Sequence, residues 1–279
     1  MPPPPPTPGM PEPLYHWPLE RNSSDVNFNR AGARNDLVCQ GLPCPTFQSA
    51  PGLFPGQAAA AHFANAPWTG GNGLRTAEPV TLTKEKAYTV WWRATILPTP
   101  PLHVNQDQIF GATSNSTSQA YYVAFWNASQ QTLPPYACGT PGDVACGPLL
   151  TFVFARHPSN WVQYCTDPRS LTITVNETHF IGFSSSGIDN SSFVFMFDGV
   201  DRSKEVFLCT HRGLEADNDP TGLPLPLRAG IAGNETCGSP PHGCDRYGGY
   251  IGSTRYFDRT ITAAQMRTIY DAERTANRP

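Results

Sequence analysis

The chain has 279 residues, a formal net charge of −3 and only 15% charged residues, so no strong basic field draws it to nucleic acid or to an anionic membrane. Proline (30) and glycine (24) interrupt long helices, and no apolar run reaches the roughly 18 residues that a membrane-spanning helix requires. A single all-β domain accounts for this length, since sandwiches run to about 200–250 residues as one unit.

Residues 1–13, MPPPPPTPGMPEP, form the first unit. Pro2 to Pro6 predict a polyproline II rod with no internal hydrogen bonds. The rod reads as a solvated linker, or as an arm that docks on a neighbouring subunit or continues a longer proline-rich stalk. It lacks the basic patch and apolar stretch of a signal peptide.

Residues 14–279 form the second unit, in which short β-type runs alternate with turn clusters. The predicted strands are Leu14–Leu19, Tyr88–Ile96, Gln108–Ala112, Ala120–Trp126, Leu150–Ala155, Trp161–Cys165, Leu171–Val175, His179–Ser184, Phe193–Phe197, Glu205–Cys209, Arg228–Ala232 and Gly249–Phe257. Phe193, Phe195 and Phe197 fall on one face, and Asp198-Gly199 marks the turn that follows. Trp91 and Trp92 fall on opposite faces of one strand, so at least one belongs to the core. One helix closes the chain. Thr262-Ala263-Ala264-Gln265 is a capping box, Ile261 and Met266 form a hydrophobic staple across it, and Met266, Ile269 and Tyr270 make the packing stripe. Strands at this spacing predict a two-sheet antiparallel sandwich.

Eight cysteines point away from the cytosol. Eight allow 105 pairings, and spacing ranks them. Cys39 with Cys44, Cys138 with Cys146, and Cys237 with Cys244 each enclose a turn-rich loop, which leaves Cys165 with Cys209, each at the end of an apolar run. None of these pairs has the two-residue gap of a zinc knuckle. The triplet Asn-X-Ser/Thr occurs at Asn22, Asn115, Asn127, Asn176, Asn190 and Asn234, an excess over chance for fifteen asparagines. N-glycans need a surface position and a secretory route. With no signal peptide in view, the chain reads as a mature or excised piece, or as one exported by an unusual route.

The segment from Gly249 to Met266, GYIGSTRYFDRTITAAQM, resembles the C-terminal signature of laminin-G-like jelly rolls. There, a strand opening with Gly and a large apolar residue runs into Arg-aromatic-aromatic-Asp-Arg and a short closing helix. Leu14–Leu19 resembles that family's opening strand, Tyr88–Arg93 its central Thr-Val-x-x-Trp strand shifted by a residue, and Phe195–Gly199 its apolar-x-apolar-Asp-Gly hairpin. In order and spacing the resemblance covers residues 14–276. It implies a concanavalin A-like jelly-roll sandwich of two large curved antiparallel sheets with a short C-terminal helix. Members of the family bind glycans or proteins, adhere, or serve as structural modules, and some hold calcium at the rim. The stretch from Leu102 to Cys146 has no counterpart in it.

The same sandwich also carries glycoside hydrolases, which need two facing carboxylates. No Glu-x-Asp-x-x-Glu string is present. The acids Asp36, Asp107, Asp143, Asp167, Asp189, Glu215, Asp217 and Asp219 lie mostly in loops. No Gly-x-Ser-x-Gly elbow occurs, and the seven histidines, His16, His62, His103, His157, His179, His211 and His242, are scattered. The Glu215–Asp219 string makes Asp217 and Asp219 the calcium candidates, though it lacks the spaced acids and closing Glu of an EF-hand. Trp68, Trp126 and Tyr136 lie in loop or sequon contexts and are the candidate glycan contacts, with packing as the competing role for each. The expected protein is a non-catalytic extracellular glycoprotein needing no cofactor, a structural or adhesive subunit of a surface or filamentous assembly with other protein subunits as partners. The alternative is a glycan-binding lectin-type module, and a glycoside hydrolase of the same fold comes third.

Overall fold

The structure, a computed structural model, describes residues 9–19, 35–40, 44–48, 53–55, 57, 59–63, 73–95, 107–114, 119–127, 148–157, 160–166, 171, 173–212, 215–230 and 248–275. In chain order these form β1 (Tyr15–Trp17), β2 (Leu37–Gln40), β3 (Thr46–Gln48), β4 (Ala60–Phe63), β5 (Gly73–Thr76), β6 (Val80–Thr81), β7 (Lys86–Ala94), β8 (Asp107–Thr113) and β9 (Ala120–Asn127). The second half holds β10 (Pro148–His157), β11 (Asn160–Thr166), β12 (His179–Ser185), β13 (Phe193–Phe197), β14 (Val200–Asp201), β15 (Val206–Arg212), β16 (Pro224–Leu225), β17 (Leu227–Ala229) and β18 (Gly249–Phe257), and helix α1 (Ala263–Thr275) follows.

Two eight-stranded antiparallel sheets face each other. The first runs β14-β13-β12-β7-β18-β4-β3, with β1 also paired to β18; the second runs β15-β11-β10-β9-β8-β17-β5-β2. β6 and β16 form a separate two-stranded ribbon.

The two-residue period of a strand sorts the side chains into layers. On β7, Tyr88, Val90, Trp92 and Ala94 point into the core between the sheets, while Ala87 and Trp91 point outward into a second cluster under α1. Both tryptophans are therefore buried, in different layers. Phe193, Phe195 and Phe197 all enter the inter-sheet core, and Met196 between them joins the outer cluster. Burying each such side chain contributes roughly 1.5–3 kcal/mol.

Helix α1 begins as its sequence dictates. The Gln265 N–H donates to Thr262 Oγ1 at 3.2 Å, and the Thr262 N–H donates to Gln265 Oε1 at 2.9 Å. Ile261 and Met266 are both buried in the outer cluster, beside Ile269 and Tyr270. At the chain's start, Pro11 is buried, Met10 packs against the same cluster, and Arg259 donates to the Glu12 carbonyl at 2.8 Å.

Asp198 and Gly199 have φ of +49° and +79° and make the turn that their identities predict. The chain then crosses through β14 to β15, the edge of the second sheet. The predicted strand from Leu171 to Val175 departs from expectation: its described residues, 171 and 173–175, are not in a strand. Its alternation is real, since Leu171 and Ile173 are buried in the core and Val175 is exposed. Its chain turns at Asn176, whose N–H goes to the Ala94 carbonyl at 2.7 Å. The apolar period here fits a covering loop as well as it fits a strand.

Cys39 and Cys44 are joined, with Cα atoms 5.5 Å apart, and Cys165 on β11 is joined to Cys209 on β15, with Cα atoms 5.7 Å apart. The second bridge clips two neighbouring strands where their register shifts. Cys138, Cys146, Cys237 and Cys244 lie outside the described residues.

Candidate binding face

The outer face of the first sheet is divided. Helix α1 with Leu53 and Phe54 covers Ala60, Ala87, Trp91, Phe180, Met196 and Phe257. At the margin of that cover, against which Tyr250 packs, the alternation that sends Trp92 and Ile251 inward sends Arg93 and Tyr250 outward. The register sets Tyr250 of β18 opposite Arg93 of β7 on one side and His62 of β4 on the other, and His62 in turn opposite Thr46 of β3. Four neighbouring strands thus supply one transverse row.

The row's centre is a stack. The Arg93 guanidinium carbon lies 4.6 Å from the centroid of the Tyr250 ring, a cation–π distance. The His62 ring centroid lies 4.6 Å from that of Tyr250. The Tyr250 hydroxyl donates to Gln48 Oε1 at 3.3 Å. Arg93, Tyr250 and His62 are each half-buried, and burial pushes the His62 imidazole below its ordinary value, which keeps it neutral at pH 7. Gly249 makes the close approach of β18 to β7 possible: a Cβ there would stand 2.1 Å from the Arg93 carbonyl oxygen. The result is a π-faced ladder rimmed by amide and hydroxyl groups. Such surfaces hold ring-shaped polar ligands, with hydrogen bonds at the rim fixing their orientation.

A second polar group lies beneath α1. Glu273 accepts from Trp91 Nε1 at 2.8 Å, from Ser253 Oγ at 2.5 Å and from Arg255 Nη1 at 2.9 Å. His16 Nε2 lies 3.0 Å from Ser253 Oγ. A serine, a histidine and a carboxylate meet here in the wrong order for nucleophilic catalysis. The carboxylate holds the serine, not the histidine, and Ser253 is buried. Other carboxylates are likewise engaged in local structure. Asp198 takes His179 Nδ1 at 2.8 Å and the Phe180 N–H at 2.7 Å. Asp201 holds the Ser203 N–H at 3.0 Å.

The sequence candidates are dispersed. Trp68 and Tyr136 lie outside the described residues, as do Asn22, Asn115 and Asn234. Trp126 is in β9, its backbone opposite Leu149. Asn127 ends β9, Asn176 is exposed in its turn, and Asn190 opens a short 3-10 turn. Asp217 is exposed. Asp219 Oδ1 accepts from the Thr221 N–H at 2.9 Å and from Thr221 Oγ1 at 2.6 Å, and stands 4.0 Å from Lys86 Nζ. Among the described residues, no three His, Cys, Asp or Glu side chains gather as a metal would require. His62, Arg93 and Tyr250 were not singled out by sequence reasoning. The available signal was alternation, because an inward Trp92 and Ile251 require an outward Arg93 and Tyr250.

No protein-family model and no curated protein matches the chain. Solved structures do. Domain 4 of AbnA, a GH43 extracellular arabinanase from Geobacillus stearothermophilus, is similar over 93% of this chain and 98% of that one, with a TM-score of 0.55 and 14% identity. The botulinum neurotoxin serotype G binding domain is similar over 95% of this chain and 52% of its own, with a TM-score of 0.57 and 8% identity. The serotype D ligand-binding domain is similar over 94% and 51%, with a TM-score of 0.52 and 9% identity. The fold is a jelly-roll β-sandwich. At these identities the likeness is one of fold, and this jelly roll spans about half the length of each toxin domain.

Proposed function

We propose that this jelly roll is a secreted, non-catalytic glycan-binding module, with the Arg93–Tyr250–His62 ladder as its sugar-binding face. The observation that carries the reading is the ladder itself: a half-buried tyrosine flanked by a guanidinium and an imidazole, at the margin of the cluster that α1 covers. Aromatic and planar groups offer the apolar face of a sugar ring a surface, and Gln48, Thr46 and His62 offer its hydroxyls partners. Two of the similar structures hold sugars: the arabinanase domain was solved with arabinotriose and the serotype D domain with N-acetylneuraminic acid. They favour glycan recognition over the structural-subunit reading. The disulfides, together with the six Asn-X-Ser/Thr triplets, support the secretory route. A non-catalytic role is supported by the structural engagement of Glu273, Asp198 and Asp201.

The test is binding of the full chain to immobilised and soluble oligosaccharides, neutral and acidic, with Tyr250→Ala beside it. The wild-type chain should bind, and the variant should lose roughly tenfold or more in affinity while staying folded by circular dichroism. A wild-type chain that binds none of them, or a Tyr250→Ala chain that binds equally well, overturns the reading.

A further inference from the structure

We infer that the ladder selects sugars bearing a carboxylate, and that the carboxylate sits in the fork of the Arg93 guanidinium. This rests on the glycan-binding reading above and names the ligand class.

Arg93 differs from the paired arginines of the described residues. Arg255 pairs with Glu273, Arg202 with Glu205 and Arg267 with Asp271, each at 2.7–2.9 Å. Arg156 gives its Nη1 to the carbonyls of Asp219 and Thr221 at 2.9 and 2.7 Å. Arg93 has none of this. Among the described residues its guanidinium makes no hydrogen bond and no ion pair, and it lies over the Tyr250 ring. Its neighbours along the row, Tyr250, His62, Thr46 and Gln48, carry no negative charge. Glu177 is exposed in the turn leading into β12, and it forms no ion pair with Arg93.

Stacking on Tyr250 adds the second half of the argument. A guanidinium held over an aromatic face makes a cation–π contact that uses none of its N–H donors, which are left for a ligand. Half-burial removes part of its water. A planar, partly desolvated fork matches the two oxygens of a carboxylate, which it holds with two parallel bonds. A sulfate ester also presents two oxygens to such a fork, but it is far less basic than a carboxylate and accepts weaker hydrogen bonds. The sugar ring attached to the carboxylate then lies along the row, where Tyr250 and His62 meet it.

The experiment is isothermal titration of the full chain with an oligogalacturonate and with a sialylated oligosaccharide, each beside its carboxyl-reduced counterpart, and with a sulfated neutral oligosaccharide. The chain should bind at least one carboxylated sugar roughly tenfold or more tighter than its reduced form. Arg93→Gln should abolish that preference while the reduced sugar still binds, and Arg93→Lys, which keeps the charge without the fork, should restore only part of it. Circular dichroism of both variants checks that the sandwich is intact. Equal binding of acidic and reduced sugars, a preference that survives Arg93→Gln, or an Arg93-dependent preference for the sulfated sugar each overturns the inference and leaves the glycan-binding face standing. Failure of the wild-type chain to bind any of these sugars overturns both.

Discussion

Trp91 donates its indole N–H to Glu273 at 2.8 Å, across 182 residues of sequence. The bond ties the central strand β7 to the last turns of α1, and it is one of three that Glu273 accepts. Trp91 also stacks on Tyr270 of the same helix, with ring centroids 5.5 Å apart and planes 13° from parallel. The closing helix is therefore held by an apolar stripe and, at its C-terminal end, by a buried charge.

Glu273→Ala should destabilise the fold by roughly 3–5 kcal/mol, because it leaves Arg255 buried with Ser253 but without a counter-charge and strips the indole of its acceptor. Asp271→Asn, on the exposed side of the same helix, breaks the surface pair with Arg267 and should change stability little. Urea unfolding of the two variants separates the cases. Equal midpoints would show that the buried carboxylate contributes nothing specific.

The second prediction concerns Lys86, whose side chain is fully buried. Its ammonium donates to the carbonyls of Thr83 and Lys84 at 2.9 and 3.2 Å and lies 5.1 Å from the Tyr121 ring centroid. Burial pushes it down from 10.5 to about 8, with the Asp219 carboxylate opposing the fall. Between those values the unfolded chain keeps a proton that the folded chain has released, so stability rises with pH across the window. Tyr88, Tyr121 and Tyr256 act in the opposite sense. Burial pushes each phenol above its ordinary value of 10.0, so above that pH the unfolded chain ionises first and stability falls. Stability should climb from pH 8 and turn over near pH 10. Lys86→Met should remove the climb and leave the decline. Urea midpoints at half-unit pH steps check this, and a wild-type profile that only falls above pH 8 would refute it.

Legibility from sequence followed the strength of local pattern. Phe193–Phe197 and Gly249–Phe257 carry alternating aromatic and apolar residues, and their observed bounds are those the alternation predicts. The Thr262–Gln265 box fixed the start of α1 for the same reason. The five strands β2 to β6 escaped because they are two to four residues long. β4 and β5, as Ala-Ala-His-Phe and Gly-Leu-Arg-Thr, also lack the β-branched and aromatic enrichment that signals a strand. The proposed binding face was hidden by the same gap. Tyr250 and Arg93 were each visible on a predicted strand, but the ladder exists only because β18 lies between β7 and β4. That pairing is non-local, and one of its members had no signal of its own. Cys165 and Cys209 show the converse. Assigning the turn-enclosing cysteines first left these two to each other, each at the end of an apolar run, and β11 and β15 bring them together.

That pair supplies the last prediction. The Cys165–Cys209 bridge closes a loop across a sequence separation of 44, and the Cys39–Cys44 bridge one across a separation of 5. In the chain-entropy account, cross-linking removes freedom from the unfolded state in proportion to the logarithm of loop length, which gives about 4 kcal/mol for the long loop and about 2 kcal/mol for the short one. The long loop holds β12, β13 and β14 as well as the Asp198-Gly199 turn, so its closure restricts that whole segment in the unfolded chain. Replacing Cys165 and Cys209 together by serine should therefore lower stability about twice as much as replacing Cys39 and Cys44. The comparison is made by urea unfolding without reductant, with each pair removed whole so that no free thiol remains to exchange. A larger loss from the short bridge would show that local geometry around β2, rather than loop closure, sets what these bridges contribute.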